Sequence, residues 1–442
     1  MRIKTIYRNG SRRLLLFFAG WGMDEHPFLN LRFRDYDIAL VHDYTDMSLP
    51  TIAREYEDIK LMAWSFGVIA ADIFMASNPQ LPITQSIAVN GTLFPVDDRY
   101  GIPEAIFKGT LEGLCDKTLV KFFRRMCGSR ETFDRFLANA PQRPTESLRE
   151  ELKAIAALKA SHSRWDMAFV STLDRIIPPE NQAAAWEREK TRTATTDYPH
   201  LPDFTDILSR AITDKALVAQ RFESAKQTYD SNAQIQRRIA ERLSDLWKEY
   251  GVRNPKRTIE IGPGTGMFTG EYCKWLRSDC LELWDLTEIP SSLPGKHVVC
   301  DAEKEIMNIE DGGVDAIVSA STLQWFDSPR KFIAEAARSL AKDGIIAFSS
   351  FGPENFKEIR EPLYPSLTEL TKWLREEGLE IVHEEEDHIR AEFDSTRQML
   401  RHFSATGVNA IGCTDPVGEA RNLLSKGIKA VTYHPIIVVA RK

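Results

Sequence analysis

The sequence predicts two successive α/β units, each a largely parallel sheet flanked by helices, and three observations carry this. Short apolar runs bounded by polar residues or glycine recur along the chain, as buried parallel strands require. Stretches of helical periodicity alternate with them. A weakly apolar segment, LPDFTDILSRAITDK (201–215), separates the two series. The 442 residues, 43% hydrophobic and 27% charged, are ample for two cores and exclude disordered, collagen-like and disulfide-scaffold classes. A net charge of −7 argues against a general nucleic-acid binder. No apolar run reaches the 18 or so residues that a membrane span needs. Six cysteines without a CxxC pair read as reduced thiols, and so as a cytoplasmic protein.

In the first block, 14–20, 36–43, 59–65 and 83–91 read as strands and 66–77 as a helix. The basic N-terminus before LLLFFAG mimics a leader, but the apolar run 14–19 is short and no small-x-small pattern follows, so a buried strand is predicted. From about 95 to 163 the periodicity is helical, a predicted cap over one end of the sheet, and 166–174 returns to strand. Ala63-Trp64-Ser65-Phe66-Gly67 sits at a strand-to-helix junction. A nucleophilic serine on such a sharp turn needs small residues two positions to either side, here Ala63 and Gly67. Ser65 also needs a base, and a base needs an orienting acid. His200 and Asp174 follow in the chain order of this arrangement, with Asp174 expected at a strand end; Asp166 and Asp197 are the alternative acids. Backbone N–H groups of Phe66 and Trp21 are the candidate oxyanion donors.

In the second block a long helical pattern (216–250) precedes strands at 257–262, 280–286, 297–302, 314–321 and 344–351. The turn Glu260-Ile261-Gly262-Pro263-Gly264-Thr265-Gly266 follows the first of these and opens a helix. Glycines there let the backbone approach a ligand closely. Asp285, about 20 residues on, and Asp301, each expected at a strand end, add two carboxylates, with Ala302 adjoining. A single such acid reads as a solvated strand end; three in this spacing read as a cofactor site. The spacing resembles motif I of class I S-adenosylmethionine methyltransferases. That resemblance implies S-adenosylmethionine as cofactor, with its ribose on Asp285 and its adenine amino group near Asp301.

Two more specific resemblances follow. FFAGWGMD (17–24), AWSFGV (63–68) and LDRIIPPENQAAAW (173–186) with His200 resemble the BioG type of pimeloyl-[acyl-carrier-protein] methyl ester esterase over about 1–205, an α/β-hydrolase. Arg221-Phe222, Tyr229-Asp230, AQIQ (233–236), SASTLQWFDSP (319–329) and AFSSFGPENFKEIR (347–360) resemble the BioC type of malonyl-[acyl-carrier-protein] O-methyltransferase over about 216–442. Together they imply a bifunctional enzyme of biotin-precursor synthesis. It would methylate malonyl and demethylate pimeloyl on an acyl carrier protein, through Ser65, Asp174 and His200 in the esterase half. Tyr229 is a candidate contact near the transferred methyl. Gln324, Arg360 and Arg401 are candidate substrate contacts, Gln324 being preferred over Trp325 and Phe326. Residues 117–143 carry seven basic against two acidic residues, Arg143 among them. Lys121, Arg124 and Arg125 would dock an acidic carrier protein, although a solvated helix face explains them equally well. Phe122 and Phe123 would line an acyl tunnel or fill the cap core. Two rival readings are compatible with the sequence: a general carboxylesterase fused to a small-molecule methyltransferase, and an esterase half that only docks carrier protein. No metal site is predicted.

Overall fold

The computed structural model describes residues 1–48, 56–252, 254–359, 362–408 and 416–442. The chain divides between Ala211 and Ile212 into two compact units.

The first unit holds strands β1 (Arg2–Tyr7), β2 (Arg13–Phe18), β3 (Asp37–His42), β4 (Asp58–Trp64), β5 (Ile83–Val89), β6 (Met167–Ser171) and β7 (Thr193–Thr196). They form one sheet in the order β1-β3-β2-β4-β5-β6-β7, parallel except for β1, which runs against β3. The five central apolar strands are those the sequence marks. β1 and β7 are not: RIKTIY and TATT sit at the sheet edges, where half of each strand faces solvent and no continuous apolar run is required. Helix α1 (Gly67–Ser77) is apolar around most of its circumference because it lies buried against β2 and β4. The cap consists of α2 (Glu104–Glu112), α3 (Asp116–Cys127), α4 (Arg130–Leu137) and α5 (Thr145–Ala156), followed after β6 by α6 (Pro179–Arg188). Helix α7 (Phe204–Ala211) lies in the stretch read as a link between units. It instead buries Phe204, Ile207 and Leu208 in the first unit, with Phe204 against Phe17, Phe28 and Trp64.

The second unit opens with α8 (Lys215–Asn232) and α9 (Gln234–Tyr250), so the long helical pattern is broken at Ala233, which is fully buried with ψ 50°. Then come β8 (Arg257–Ile261), α10 (Met267–Tyr272), β9 (Cys280–Asp285), β10 (Lys296–Val299), α11 (Ala302–Glu305), β11 (Val314–Ser319), α12 (Pro329–Ser339), β12 (Leu340–Phe351), α13 (Leu367–Glu376), β13 (Glu380–Glu386), β14 (Ile389–Glu392), α14 (Thr396–Ala405), α15 (Pro416–Lys426), β15 (Ala430–Tyr433) and β16 (Pro435–Arg441). The main sheet has the order β10-β9-β8-β11-β12-β16-β13, and only β16 runs against its neighbours. Strand order reverses between β8 and β11, and in such sheets ligands bind beyond the carboxyl ends at that point. β14 and β15 form a separate ribbon. No helix among the described residues is long and apolar enough to cross a membrane.

Candidate functional site

In the first unit the chain leaves β4 through Trp64 and turns at Ser65 with φ +58°, a left-handed conformation costly for a residue with a side chain. The turn presses Gly67 against the end of β2: a Cβ on Gly67 would stand 2.4 Å from the Phe18 carbonyl oxygen. Ser65 Oγ lies 2.9 Å from His200 Nε2, and His200 Nδ1 lies 2.8 Å from Asp174 Oδ2. All three are buried. Asp174 does not end a strand. β6 stops at Ser171, and Asp174 occupies the turn beyond, where its Oδ1 accepts from the N–H groups of Ile176 and Ile177. Gln182 on α6 donates to Asp174 Oδ2 at 2.9 Å. Trp64 Nε1 and Asn90 Nδ2 both donate to the His200 carbonyl. The acid is thus fixed by the backbone and the imidazole from behind its main chain, which leaves Nε2 aimed at the serine. The alternative acids are engaged elsewhere: Asp166 accepts from Ser86, and Asp197 accepts from Thr172.

Gly20 lies against Ser65, and the backbone N–H groups of Trp21 and Phe66 donate to no acceptor among the described residues. Two uncommitted donors flanking the serine on its turn, with a base on its hydroxyl, can stabilise a tetrahedral oxyanion. Phe122 and Phe123 separate in role. Phe122 is half-buried and packs edge-on against Trp21 at 5.1 Å, whereas Phe123 is buried against Phe136 within the cap. Lys121, Arg124 and Arg125 are exposed on α3. Arg143 is not part of that surface: it is buried and paired with Glu151 and Asp43.

In the second unit a cleft of about 1140 Å³, open solvent at its mouth included, lies beyond β8, β9 and β11, at the reversal of strand order. Gly262, Gly264, Asp285, Asp301, Ala302 and Tyr229 line it, with Trp325 and Phe326. Gly264 has φ +55°, and a Cβ there would meet no protein atom within 4 Å, so it faces the cleft. Gly262 and Gly266 are demanded by close neighbours, Thr322 and Leu293. Asp285 ends β9 and binds the glycine turn, its Oδ2 accepting from Gly264 N–H and its Oδ1 from Thr287.

Glu260 does not line the cleft. It is buried behind the turn, accepting from Thr269 Oγ1 at 2.7 Å and the Tyr272 hydroxyl at 2.5 Å. Burial raises its carboxyl to about 7 despite those two hydrogen bonds. Its place is to tie β8 to α10, not to meet a ligand. Asp301 lies past the end of β10, as the N-cap of α11, and both its oxygens stand 2.7 Å from Lys215 Nζ. Burial pulls the Lys215 ammonium down, but Glu303, Asp327 and Asp301 outweigh it and hold the pKa above its ordinary value. Gln324 is turned away from the cleft and donates to the Ser321 carbonyl, so Trp325 and Phe326, and not Gln324, supply the wall. Arg401 is exposed on α14 and is not among the lining residues, and Arg360 lies outside the described residues. Burial, reinforced by Asp230, pushes the Tyr229 hydroxyl up, so it stays a neutral donor.

The cleft fits S-adenosylmethionine. It offers an acid at the end of β9 for vicinal hydroxyls, glycine backbone open to the ligand, and two buried polar atoms, Ser321 Oγ and Trp325 Nε1, that have no partner among the described residues.

Comparison with known proteins follows the same division. Residues 1–208 match the family model described as pimeloyl-ACP methyl esterase BioG, and residues 259–348 match a methyltransferase domain. A malonyl-[acyl-carrier protein] O-methyltransferase of Bacteroides fragilis (strain 638R) is 37% identical, over 98% of this chain and 93% of its own length. This chain belongs to the malonyl-[acyl-carrier protein] O-methyltransferase family. Another member, from Acinetobacter baylyi, is 30% identical over 52% of this chain and 97% of its own. The crystal structure of BioG from Haemophilus influenzae is 34% identical and covers 45% of this chain and 94% of that one, with a TM-score of 0.42. The malonyl-[acyl-carrier protein] O-methyltransferase of B. fragilis matches almost this entire chain, so that relative spans both units, and the two resemblances read in the sequence are borne out.

Proposed function

We propose that the two units perform opposite halves of a protecting-group cycle on acyl carrier protein. The second methylates the free carboxylate of a malonyl thioester, and the first hydrolyses the methyl ester once the chain reaches pimeloyl length. The logic is burial of charge. A free carboxylate entering an apolar acyl channel costs several kcal/mol, whereas its methyl ester costs little (about 2–7 kcal/mol for an uncompensated polar group, more for a charge).

The observation that carries the esterase half is the row Ser65–His200–Asp174 at 2.9 and 2.8 Å. His200 takes the Ser65 proton as Oγ attacks the ester carbonyl carbon. Trp21 and Phe66 N–H groups receive the oxyanion. His200 gives the proton to the departing methoxide oxygen; it then takes one from water as that water attacks the acyl-enzyme carbonyl, and returns it to Ser65 Oγ as the acyl–oxygen bond breaks and the acid leaves. Asp174 holds the tautomer and offsets the imidazolium charge.

In the second unit, bound S-adenosylmethionine supplies an electrophilic methyl group. A malonyl carboxylate is already ionised near neutral pH, so no residue need act as base. Asp285 and the turn at Gly262 and Gly264 hold the cofactor; Tyr229, Trp325 and Phe326 wall off water beside it. Lys121, Arg124 and Arg125 on the cap present positive charge to an acidic carrier protein. We place the protein in the cytoplasm, which agrees with free thiols at Cys115, Cys127, Cys273, Cys280 and Cys300.

Mass spectrometry of carrier-bound acyl groups tests both halves at once. Malonyl carrier protein with enzyme and S-adenosylmethionine should gain one methyl, and pimeloyl methyl ester carrier protein should lose one. Ser65→Ala should abolish the loss and spare the gain. Demethylation that survives this substitution removes Ser65 from the reaction.

A further inference from the structure

The loop that carries Trp21 is held from the cap, not from the sheet alone. Glu151, in the middle of α5, is fully buried. Its Oε2 accepts from Gly22 N–H at 3.3 Å and from Arg143 Nη1 at 2.7 Å, and its Oε1 accepts from Tyr44 N–H at 2.9 Å. Tyr44 in turn donates its hydroxyl to the Ala19 carbonyl at 2.6 Å. One turn earlier on α5, the Leu148 carbonyl accepts from Trp21 Nε1 at 2.9 Å. Among the described residues, the side-chain hydrogen bonds that tie residues 19–22 thus come from α5 or from Tyr44, which α5 holds, and the Trp21 backbone N–H is left pointing at no acceptor.

We propose that Glu151 is a positioning residue for ester hydrolysis: by gripping Gly22 and Tyr44 from the cap it fixes the peptide whose N–H meets the oxyanion. This rests on the esterase reading above and deepens it. A buried carboxylate is expensive unless charge and hydrogen bonds compensate it, and a structural tether between cap and sheet could be made from apolar side chains at less cost. Here the carboxylate accepts two main-chain N–H groups at once, which fixes the direction of both peptides within narrow limits. Arg143, itself tied to Asp43 and Ser147, supplies the compensating charge. Oxyanion donors act only when preorganised, so a shift of a few tenths of an ångström in the 21–22 peptide is felt in the transition state and not in substrate binding.

Glu151→Gln tests this. The amide preserves size and one acceptor, which can serve Tyr44, but it then turns an N–H₂ toward Gly22 N–H and Arg143, donor against donor. For a small soluble methyl ester, kcat should fall roughly 10²-fold, the scale of losing one oxyanion donor, while KM stays nearly constant. An alkyl trifluoromethyl ketone adds to the serine and places its hemiketal oxygen where the oxyanion sits. Its affinity should fall by the same factor as kcat/KM, whereas the affinity of the product carboxylate should not change. Equal losses for ketone and product, or a KM effect alone, would show a mere structural tether and overturn the proposal. If the Gln variant does not fold, Glu151→Asp keeps the charge for Arg143 but draws the carboxylate away from Gly22, and the same kcat-selective loss is expected. Wild-type enzyme is assayed beside them. If it cleaves the ester and the variants cleave it equally well, the Glu151 inference fails alone; if wild type neither cleaves the ester nor binds the ketone, the esterase reading fails and takes the inference with it.

Discussion

Gly20 and Ser65 are in direct contact: a Cβ on Gly20 would stand 3.1 Å from the Cβ of Ser65, with the Trp64 ring equally close. Neither neighbour can yield easily. Trp64 is buried and its Nε1 holds the His200 carbonyl, and Ser65 sits on a constrained turn. Gly20→Ala should therefore push the 19–22 loop outward by a few tenths of an ångström. We expect kcat for ester hydrolysis to drop roughly tenfold, since small misplacements near reacting atoms cost that much or more. Methyl transfer should be unchanged. Steady-state assays of both activities on one preparation check this, and an unaltered esterase would mean that the loop has slack.

Lys215 and Asp301 make the corresponding pair in the second unit. Lys215 also contacts Glu303 at 2.6 Å. Replacing the lysine leaves two carboxylates close together in a mostly buried place. Lys215→Met should lower the stability of this unit by roughly 3 kcal/mol, the scale for removing one partner of a buried ion pair. Cofactor affinity should fall as well, because Asp301 loses the group that orients it. Denaturant unfolding and titration calorimetry with S-adenosylmethionine measure the two effects. Unchanged affinity would remove Asp301 from the cofactor contacts.

Much of both sites was legible because the chemistry fixes spacing along a strand-turn-helix unit. Ser65 is found by the turn that displays it, and Gly262, Gly264 and Asp285 by the loop and strand end that must meet one ligand. The groups that hold these residues in place were not legible. Glu151 is one of five charged residues in TESLREELKAIA, and only the fold shows that it points inward. Arg143 was read with the exposed basic residues for the same reason. Lys215 fell in the stretch read as a link, and its partners are 86 and 88 residues away. Glu260 was legible in position but not in role, since a motif does not say which side of the turn its acid occupies. β1 and β7 lack the apolar signal because edge strands bury too little to need it.

Glu260 makes stability depend on pH in a defined direction. Its carboxyl titrates at about 7 in the folded protein against an ordinary 4.5. Between those values the native state holds a proton that the unfolded chain has lost, so this group's contribution to stability falls as pH rises through that window and levels off above 7. Glu260→Gln cannot titrate. Relative to wild type, the variant should gain roughly 3 kcal/mol on going from pH 4.5 to about 8, at about 1.4 kcal/mol per pKa unit. Urea unfolding at a series of pH values gives the difference directly. A flat difference would mean that the carboxylate is already compensated in the native state.

Reversing Arg124 and Arg125 to Glu should separate docking from chemistry. Both are exposed on α3, the helix whose inner face presents Phe122 to Trp21. Positive charge there attracts an acidic carrier protein and is screened by salt. The double variant should raise KM for carrier-bound ester several-fold and flatten its salt dependence, leaving a small soluble ester almost unaffected. Equal loss on both substrates would assign these arginines to cap stability, in which Arg124 already stacks on Phe133.

A chain that both adds and removes a methyl group must avoid undoing its own methylation. The malonyl and pimeloyl methyl esters differ by four methylenes between thioester and ester. Each is worth about 0.8 kcal/mol when buried, so an apolar path would favour the longer chain by roughly 3 kcal/mol. A geometric term adds to this. If the carrier docks on the outer face of α3, its prosthetic arm enters at a fixed point, and the acyl chain must pass Phe122 and Trp21 to bring its ester carbonyl to Ser65. A malonyl ester then stops short of the serine. Hydrolysis of carrier-bound esters should rise steeply with chain length up to pimeloyl, and the malonyl ester should be nearly inert. Phe122→Ala widens the passage beside Trp21 and should blunt the discrimination between lengths more than it lowers the rate for pimeloyl. Free methyl esters of the same acids, which need no fixed entry point, should show only the methylene term. Carrier-bound malonyl methyl ester cleaved as fast as the pimeloyl ester would defeat the length ruler, and protection would then have to come from elongation outrunning hydrolysis.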